Sequence, residues 1–399
     1  MKILTLHNKY KYRGGEDEAR ESEDVLLRER GHEVKEIVLD NNDIGPSGLV
    51  RIGMETSWSV GSYRRVCEAV KEWRPDILDV HNFFPLFSPS VHYVGLKQRV
   101  PVIQTLHNYR LLCPGATFYR AGAVCEDCTR HWTPWPSVVH RCYRGSMSQT
   151  GAAAVMVTLH RVLRTWHRAV SVFITSSQFE KRKFVEHGFP ESKILVKPNH
   201  LLNPGPLSSG GQHFMFVGRL SAEKGVLTLL KAMEQVNPGT RLKIAGDGPL
   251  ESVVREAVSR NPRIEYLGRI PQRDVLDQIA SARCLIFPSE WYETFGRVAA
   301  EAFSRGTPVI ASKIGAVAEV VDDGRTGFHF RPGDAGDLAE TIEHAATDPR
   351  VLTRMRLEAR REYEQNFTAE RGYQLLMAAY HKAIAEYGCR RELGCPAEE

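Results

Sequence analysis

Short apolar runs rich in β-branched residues alternate with helical patterns along most of this chain, and the alternation starts over once, near the middle. Lys2–Leu6, Glu33–Val38, Asp76–Val80, Val102–Leu106, Ser171–Thr175 and Lys193–Val196 form the first series of strand candidates. Glu16–Arg30, Ser62–Trp73, Gly151–Arg168 and Gln178–His187 carry helical periodicity between them. Then comes Asn203-Pro-Gly-Pro-Leu-Ser-Ser-Gly-Gly211, with the Pro, Gly and Ser content of an interdomain linker. His213–Val217, Arg241–Ala245, Ile264–Leu267, Cys284–Phe287 and Pro308–Ala311 make a second strand series, and Thr368–Tyr387 closes the chain as a helix. Apolar strands alternating with helices specify parallel sheets covered on both faces. The expectation is two doubly wound α/β domains, with ligand bound where strands end at their carboxyl termini.

A length of 399 residues suits two such domains. The balance of 53 Lys and Arg against 48 Asp and Glu, a net charge of +5, is too slight to indicate nucleic acid as a partner. No apolar stretch is long enough to span a bilayer, and the amino terminus shows no secretory apolar region. A cytoplasmic protein with reduced thiols is expected.

The segment after Cys284–Phe287 is the most informative. Glu293-Thr-Phe-Gly-Arg-Val-Ala-Ala-Glu301 opens a helix that stops at Gly306. Its N–H groups at Phe295, Gly296 and Arg297 suit a phosphate, between carboxylates two helical turns apart. Taken alone, these are ordinary helix glutamates. They are not alone: Val217-Gly218-Arg219-Leu-Ser-Ala-Glu-Lys224-Gly225 follows the first strand of the second series. Arg219 can fork onto phosphate oxygens and Lys224 supplies a compact positive charge. The chain has no Asp-x-Asp pair for a diphosphate-bound cation, so this pair is expected to neutralise a leaving diphosphate without a catalytic metal. Gly246-Asp247-Gly248-Pro249 and Tyr266-Leu267-Gly268-Arg269-Ile270 end further strands, where a glycine turn lets backbone approach a nucleotide and Arg269-Ile270 offers backbone to a base edge. In the first half, Arg13-Gly14-Gly15-Glu16 leads into a helix with room for close backbone contact, and His107 stands at the end of a strand.

Cys113, Cys125, Cys128 and Cys142 crowd into 113–142, a Pro- and Gly-rich excursion. Four thiolates with a Cys-x2-Cys half-site suit tetrahedral Zn2+ as a structural ion, with His131 and His140 as spare ligands. Reduced buried thiols, disulfides or an iron–sulfur centre are the other readings. Trp132, Trp135, Arg141, Arg144, Arg161, Arg164 and Arg168 give the region an aromatic and basic character, which suits a lipid-linked acceptor and peripheral membrane association, or else packing and a solvated helix face.

Together, in order, Gly14-Gly15, Lys197-Pro198-Asn199, Gly218-Arg219-(x4)-Lys224-Gly225, Gly246-Asp247-Gly248-Pro249, Glu293-(x7)-Glu301 and Gly324-Arg325-Thr326-Gly327-Phe328 resemble the GT-B glycosyltransferases of family 4, the retaining group, over nearly the whole chain. The resemblance implies two Rossmann-like domains facing a cleft. Residues 1–202 would form the acceptor domain with its 113–142 insertion, 203–377 the donor domain, and a C-terminal helix, 378–399, would cross back to the first. It further implies a nucleotide-diphosphate-sugar donor, UDP- or GDP-linked, and a saccharide or lipid-linked acceptor in bacterial glycoconjugate assembly at the inner face of the membrane. Arg219 and Lys224 would bind the diphosphate, Glu301 the ribose hydroxyls, Glu293 the transferred sugar, and Phe295, Gly296 and Arg297 would add N–H groups. Gly14 and Gly15 would close from the other domain and His107 would touch the sugar. Ala369 departs from the Trp common at the start of the closing helix. A nucleotide-sugar epimerase and a non-catalytic nucleotide-sugar-binding subunit are the competing readings.

Overall fold

A computed structural model describes residues 1–10, 14–43, 53, 55–202 and 205–392. Arg13, the Asn203-Pro204 start of the linker, Cys395 and the 393–399 end of the expected closing helix lie outside the described residues. The chain divides into two compact units, Met1–Phe118 with Cys125–Pro198 and Gly372–Glu399, and Tyr119–Val124 with Asn199–Arg371.

The first unit holds a six-stranded sheet: β1 (Lys2–Lys9), β2 (Glu33–Asp40), β3 (Ile77–Asn82), β4 (Val102–Thr105), β7 (Val172–Thr175) and β8 (Ile194–Val196), in the order β2-β1-β3-β4-β7-β8. All its pairings are parallel. Every side chain of β3, β4 and β7 is buried, as a sheet covered on both faces requires. The helix Ala369–Glu392 supplies Leu376, Ala379, Tyr380 and Ala383 to the core that Ile3, Ile77, Ile103 and Ile174 form. The chain's last helix therefore belongs to the first unit's core. The expected helix Gly151–Arg168 is two, Met147–Val162 and Thr165–Arg168, because Arg164 adopts a left-handed conformation (φ 49°) between them. In the insertion, a hairpin of β5 (Tyr119–Arg120) and β6 (Ala123–Val124) groups with the second unit.

The second unit is also a six-stranded parallel sheet: β9 (His213–Val217), β10 (Arg241–Ala245), β11 (Ile264–Gly268), β12 (Ala282–Phe287), β13 (Val309–Ser312) and β14 (Gly327–Phe330), ordered β11-β10-β9-β12-β13-β14. β14 is the strand the sequence pattern hides, four residues opened by a glycine. A Cβ on Gly327 would stand 1.9 Å from the Val309 carbonyl oxygen, so β13 tolerates only glycine there. Along β9, Phe214 and Phe216 enter one core while Met215 enters the core on the other face, the two-residue period of a strand buried on both sides. Numbered within the unit, the order is 3-2-1-4-5-6, that of doubly wound nucleotide-binding sheets. Winding reverses between β9 and β12, so the loops leaving these neighbours diverge and open a crevice at their carboxyl ends.

Candidate active site

Both motif segments of the second half leave that crevice. Gly218 to Gly225 follows β9, and Pro288 to Gly296 follows β12. The Lys224 ammonium meets the Glu293 carboxylate at 2.6 Å, and the Ser289 hydroxyl donates to the same Oε1 at 2.7 Å. Lys224 also lies 5.2 Å from the centre of the Trp291 ring. A backbone hydrogen bond from Glu290 to the Glu223 carbonyl (2.9 Å) ties the two loops, and Thr228 Oγ1 donates to the Glu290 carboxylate. Side-chain exposure is 24% for Lys224 and 10% for Glu293, so the pair is held in a low-dielectric corner open on one side.

The helix Arg297–Ser304 starts from Gly296, whose φ of 98° is left-handed; a Cβ there would come within 2.7 Å of the Phe287 ring. Only glycine permits this entry. Phe295 is buried and packs edge-on against Phe367, while Ala299, Ala300 and Ala302 let the helix approach the sheet closely. Glu301 is turned inward and 5% exposed, accepting from Gln272 Nε2 at 2.8 Å and Arg297 Nε at 3.1 Å. Arg219 is exposed at the same end of the sheet, one residue past Gly218. Lys224, Glu293, Phe295, Gly296, Arg297 and Glu301 thus gather around the ends of β9 and β12.

The glycine turn after β10 also has a role within the fold. Gly246 has φ 139°, and a Cβ on it would strike the Gly218 carbonyl at 1.9 Å. The Leu220 N–H donates to the Asp247 carbonyl at 2.8 Å. Gly246 and Gly248 therefore let this turn abut the Arg219 loop, and the close approach they permit is backbone to backbone. Arg269 is exposed and 3.6 Å from Asp247, and Ile270 packs against the core to which Phe295 belongs.

In the first unit, Gly14 caps the helix Gly15–Glu29 with an ordinary extended φ of −131°, and its N–H donates to the Asp17 carboxylate at 2.9 Å. Nothing lies within 4 Å of where a Cβ would sit on Gly14 or Gly15, so space rather than backbone conformation distinguishes these glycines. His107 lies just beyond β4, stacked on His81, with its Nε2 3.1 Å from His81 Nδ1. Burial, and then His81, hold His107 well below the usual imidazole range. Burial acts to lower His81 as well, but the Asp79, Glu23 and Asp24 carboxylates outweigh it and raise the group. Which ring donates across this contact depends on the tautomer. The hollow beside them, about 20 Å3, has room for one water.

Glu23, Asp79 and His81 place their ligand atoms within 4.8 Å of one another. Lys197 forms a buried ion pair with Glu23, and the Tyr380 hydroxyl donates to Asp79 at 2.6 Å. An ammonium already serves these carboxylates, and it would repel a cation; the group is a charge network. Cys113, Cys125, Cys128 and Cys142 are free of disulfides. Burial, and then Cys113 and the Cys142 thiol, push Cys128 up to about 12, while among the described residues no three of these sulfurs lie within 4.8 Å of one another.

Residues 203–362 match the family model of the glycosyl transferases group 1, and 24–200 match that of glycosyltransferase family 4. The chain belongs to this glycosyltransferase family. Glycogen synthase of Mycobacterium tuberculosis is 33% identical over 167 residues, 40% of each chain. Sulfoquinovosyl transferase SQD2 of Arabidopsis thaliana is 28% identical over 323 residues, 75% of this chain and 56% of that protein. The chain thus spans about two fifths to just over half the length of these relatives. In fold it is similar to Anabaena Alr3699/HepE, solved in complex with UDP and glucose (TM-score 0.68, 20% identity, 95% of this chain and 98% of that one). Sucrose-phosphate synthase from Thermosynechococcus elongatus is similar as well (TM-score 0.69, 18% identity, 97% and 100%). These likenesses establish the GT-B fold.

Sequence reasoning missed three residues of this family 4 glycosyltransferase's candidate site. Ser289 and Trp291 lie at or next to the segment it singled out, but only the fold shows that Ser289 holds Glu293 and that Trp291 lies beside Lys224. Gln272, at the start of the helix Gln272–Ala280, reaches Glu301 from a distant stretch of chain and carries no local signal.

Proposed function

We propose that the protein is a retaining glycosyltransferase that moves a sugar from a UDP- or GDP-linked donor to a saccharide or lipid-linked saccharide acceptor. One observation carries this reading: the Lys224 ammonium and the Glu293 carboxylate, from loops after adjacent strands, meet beside the N-terminus of a helix at the switch point of the sheet. In the donor complex Lys224 and Arg219 bind the diphosphate, with N–H groups of Phe295, Gly296 and Arg297. Glu301, oriented by Gln272 and Arg297, takes the ribose hydroxyls, and Glu293 stands against the sugar. Gly246, Gly248, Arg269 and Ile270 frame the base side. Gly14, Gly15 and His107 belong to the acceptor domain and act on the sugar side.

Cleaving the anomeric C–O bond leaves positive charge on the sugar and negative charge on the diphosphate. Arg219, Lys224 and the helix terminus stabilise the second charge where it develops. The acceptor hydroxyl attacks from the face the diphosphate leaves, and the departing phosphate oxygen takes its proton, so configuration is retained. The arginine and lysine supply the charge that a divalent ion supplies elsewhere, which supports catalysis without a metal. The four cysteines of the insertion are assigned to a structural Zn2+ on their number and the Cys-x2-Cys spacing alone.

A screen of UDP- and GDP-sugars against saccharide acceptors, run with Lys224→Ala and Glu293→Ala, tests the proposal. Transfer with retained configuration, weakened at least tenfold in both variants, is expected. Epimerisation without acceptor, or tight donor binding with no turnover on any acceptor, would overturn it.

A further inference from the structure

From Cys128 to Phe179 there is no aspartate or glutamate, in a chain that holds 48 of them. The same stretch carries Arg130, Arg141, Arg144, Arg161, Arg164 and Arg168. At its centre is the helix Met147–Val162, which has no charged residue before Arg161. Its inward side, Ala153, Ala154, Met156 and Val157, is buried. Its outward side is also largely apolar: Met147, Val155 and Val162 are 51%, 59% and 56% exposed, with Ser148 exposed among them. Large apolar side chains gathered on a solvent-facing side mark an interaction surface. Beside it Pro134, Trp135 and Val138 form one wall of an apolar groove of about 530 Å3 that Val155, Leu159 and Val162 complete, with Trp135 54% exposed and Trp132, next in chain to the wall, 66% exposed. Arg161 donates to the Trp132 carbonyl at 2.5 Å and holds that wall against the helix. Arg130, Arg141, Arg144, Arg164 and Arg168 are exposed around it.

We infer that this face docks on the surface of an anionic phospholipid bilayer. The aliphatic stripe enters the acyl boundary, the two tryptophans sit at headgroup level, and the arginines meet lipid phosphates. Charge decides against the other occupants. A second copy of the chain, joined through the same patch, would set arginines against arginines with no carboxylate from 128–179 to answer them. A soluble saccharide or a nucleic acid has no use for an exposed Val-Leu-Val stripe.

Flotation of the full-length protein with vesicles tests this, using phosphatidylcholine alone or phosphatidylcholine with 30% phosphatidylglycerol (~30%, enough to give a strongly negative surface). Flotation with the anionic vesicles, weak with the neutral ones and lost in high salt, is expected. Replacing Arg141 and Arg144 by Gln should lower partitioning about thirtyfold, roughly fivefold per charge. Val155→Glu should lower it at least tenfold while leaving UDP or GDP binding by calorimetry and the far-UV spectrum unchanged. That separates failure of the docking face from failure of the donor assignment. Equal flotation with neutral vesicles, flotation unaffected by Val155→Glu, or a stable dimer that Val155→Glu dissociates without any flotation would each overturn the inference.

Discussion

The contact between Lys224 and Glu293 can be weighed by a double-mutant cycle. Glu293→Ala leaves an ammonium three-quarters buried without its carboxylate and strips Ser289 of its acceptor. Lys224→Ala leaves a carboxylate, nine-tenths buried, that keeps only the Ser289 hydroxyl among these partners. Breaking a fully buried pair costs about 3–5 kcal/mol and an exposed pair contributes roughly 0.2–1 kcal/mol. Partial exposure of Lys224 places each single variant near 2 kcal/mol and the coupling at about 1–3 kcal/mol. In a domain of this size, ~2 kcal/mol lowers the melting temperature by roughly 4–8 °C. Scanning calorimetry of the two single variants and the double should therefore show the double melting well above the additive expectation. The donor adds a second reading. Loss of a charge-assisted bond to the diphosphate is worth about 1.5–3 kcal/mol, so Lys224→Ala should weaken UDP or GDP binding by roughly 10- to 150-fold in titration calorimetry. Additivity of the two substitutions within ~0.5 kcal/mol, together with unchanged nucleotide affinity, would refute the reasoning.

Glu16 is raised to about 8, by burial first and by the neighbouring Asp17 carboxylate second. Its folded value lies above its unfolded one, so its contribution to stability is full below about pH 4.5 and is lost as pH rises through 8, at most about 5 kcal/mol; melting curves of Glu16→Gln should show a flatter pH dependence and a higher midpoint at pH 8. Gly296→Ala forces a left-handed φ on an L-residue and a 2.7 Å contact with Phe287; a loss of roughly 2–4 kcal/mol is expected by denaturation, with weakened nucleotide binding. Elemental analysis of reduced protein should find about one zinc per chain, absent from a Cys125→Ser, Cys128→Ser double variant that also melts lower. Metal-free wild-type protein with the same melting point would remove that site.

Much of this architecture is local and could be read from the chain. Strands buried on both faces must be largely apolar, as residues 172–174 and 284–287 are, and the motif segments had to follow strands because helix N-termini and glycine turns stand there. What the sequence determined was therefore the two-sheet plan and the candidacy of Arg219, Lys224, Glu293 and Glu301. It could not reveal β14, where one glycine answers a neighbouring carbonyl, nor that Gly246 is needed by the Gly218 loop. Tertiary structure alone decided the partners: Gln272 for Glu301, Trp291 beside Lys224, and the Lys197–Glu23 and Asp79–Tyr380 contacts that convert a metal-like trio into a charge network. The physical reason is range. Periodicity and turn chemistry act over a few residues, whereas a buried charge is satisfied by whichever group the fold carries to it, and Tyr380 lies 301 positions from Asp79.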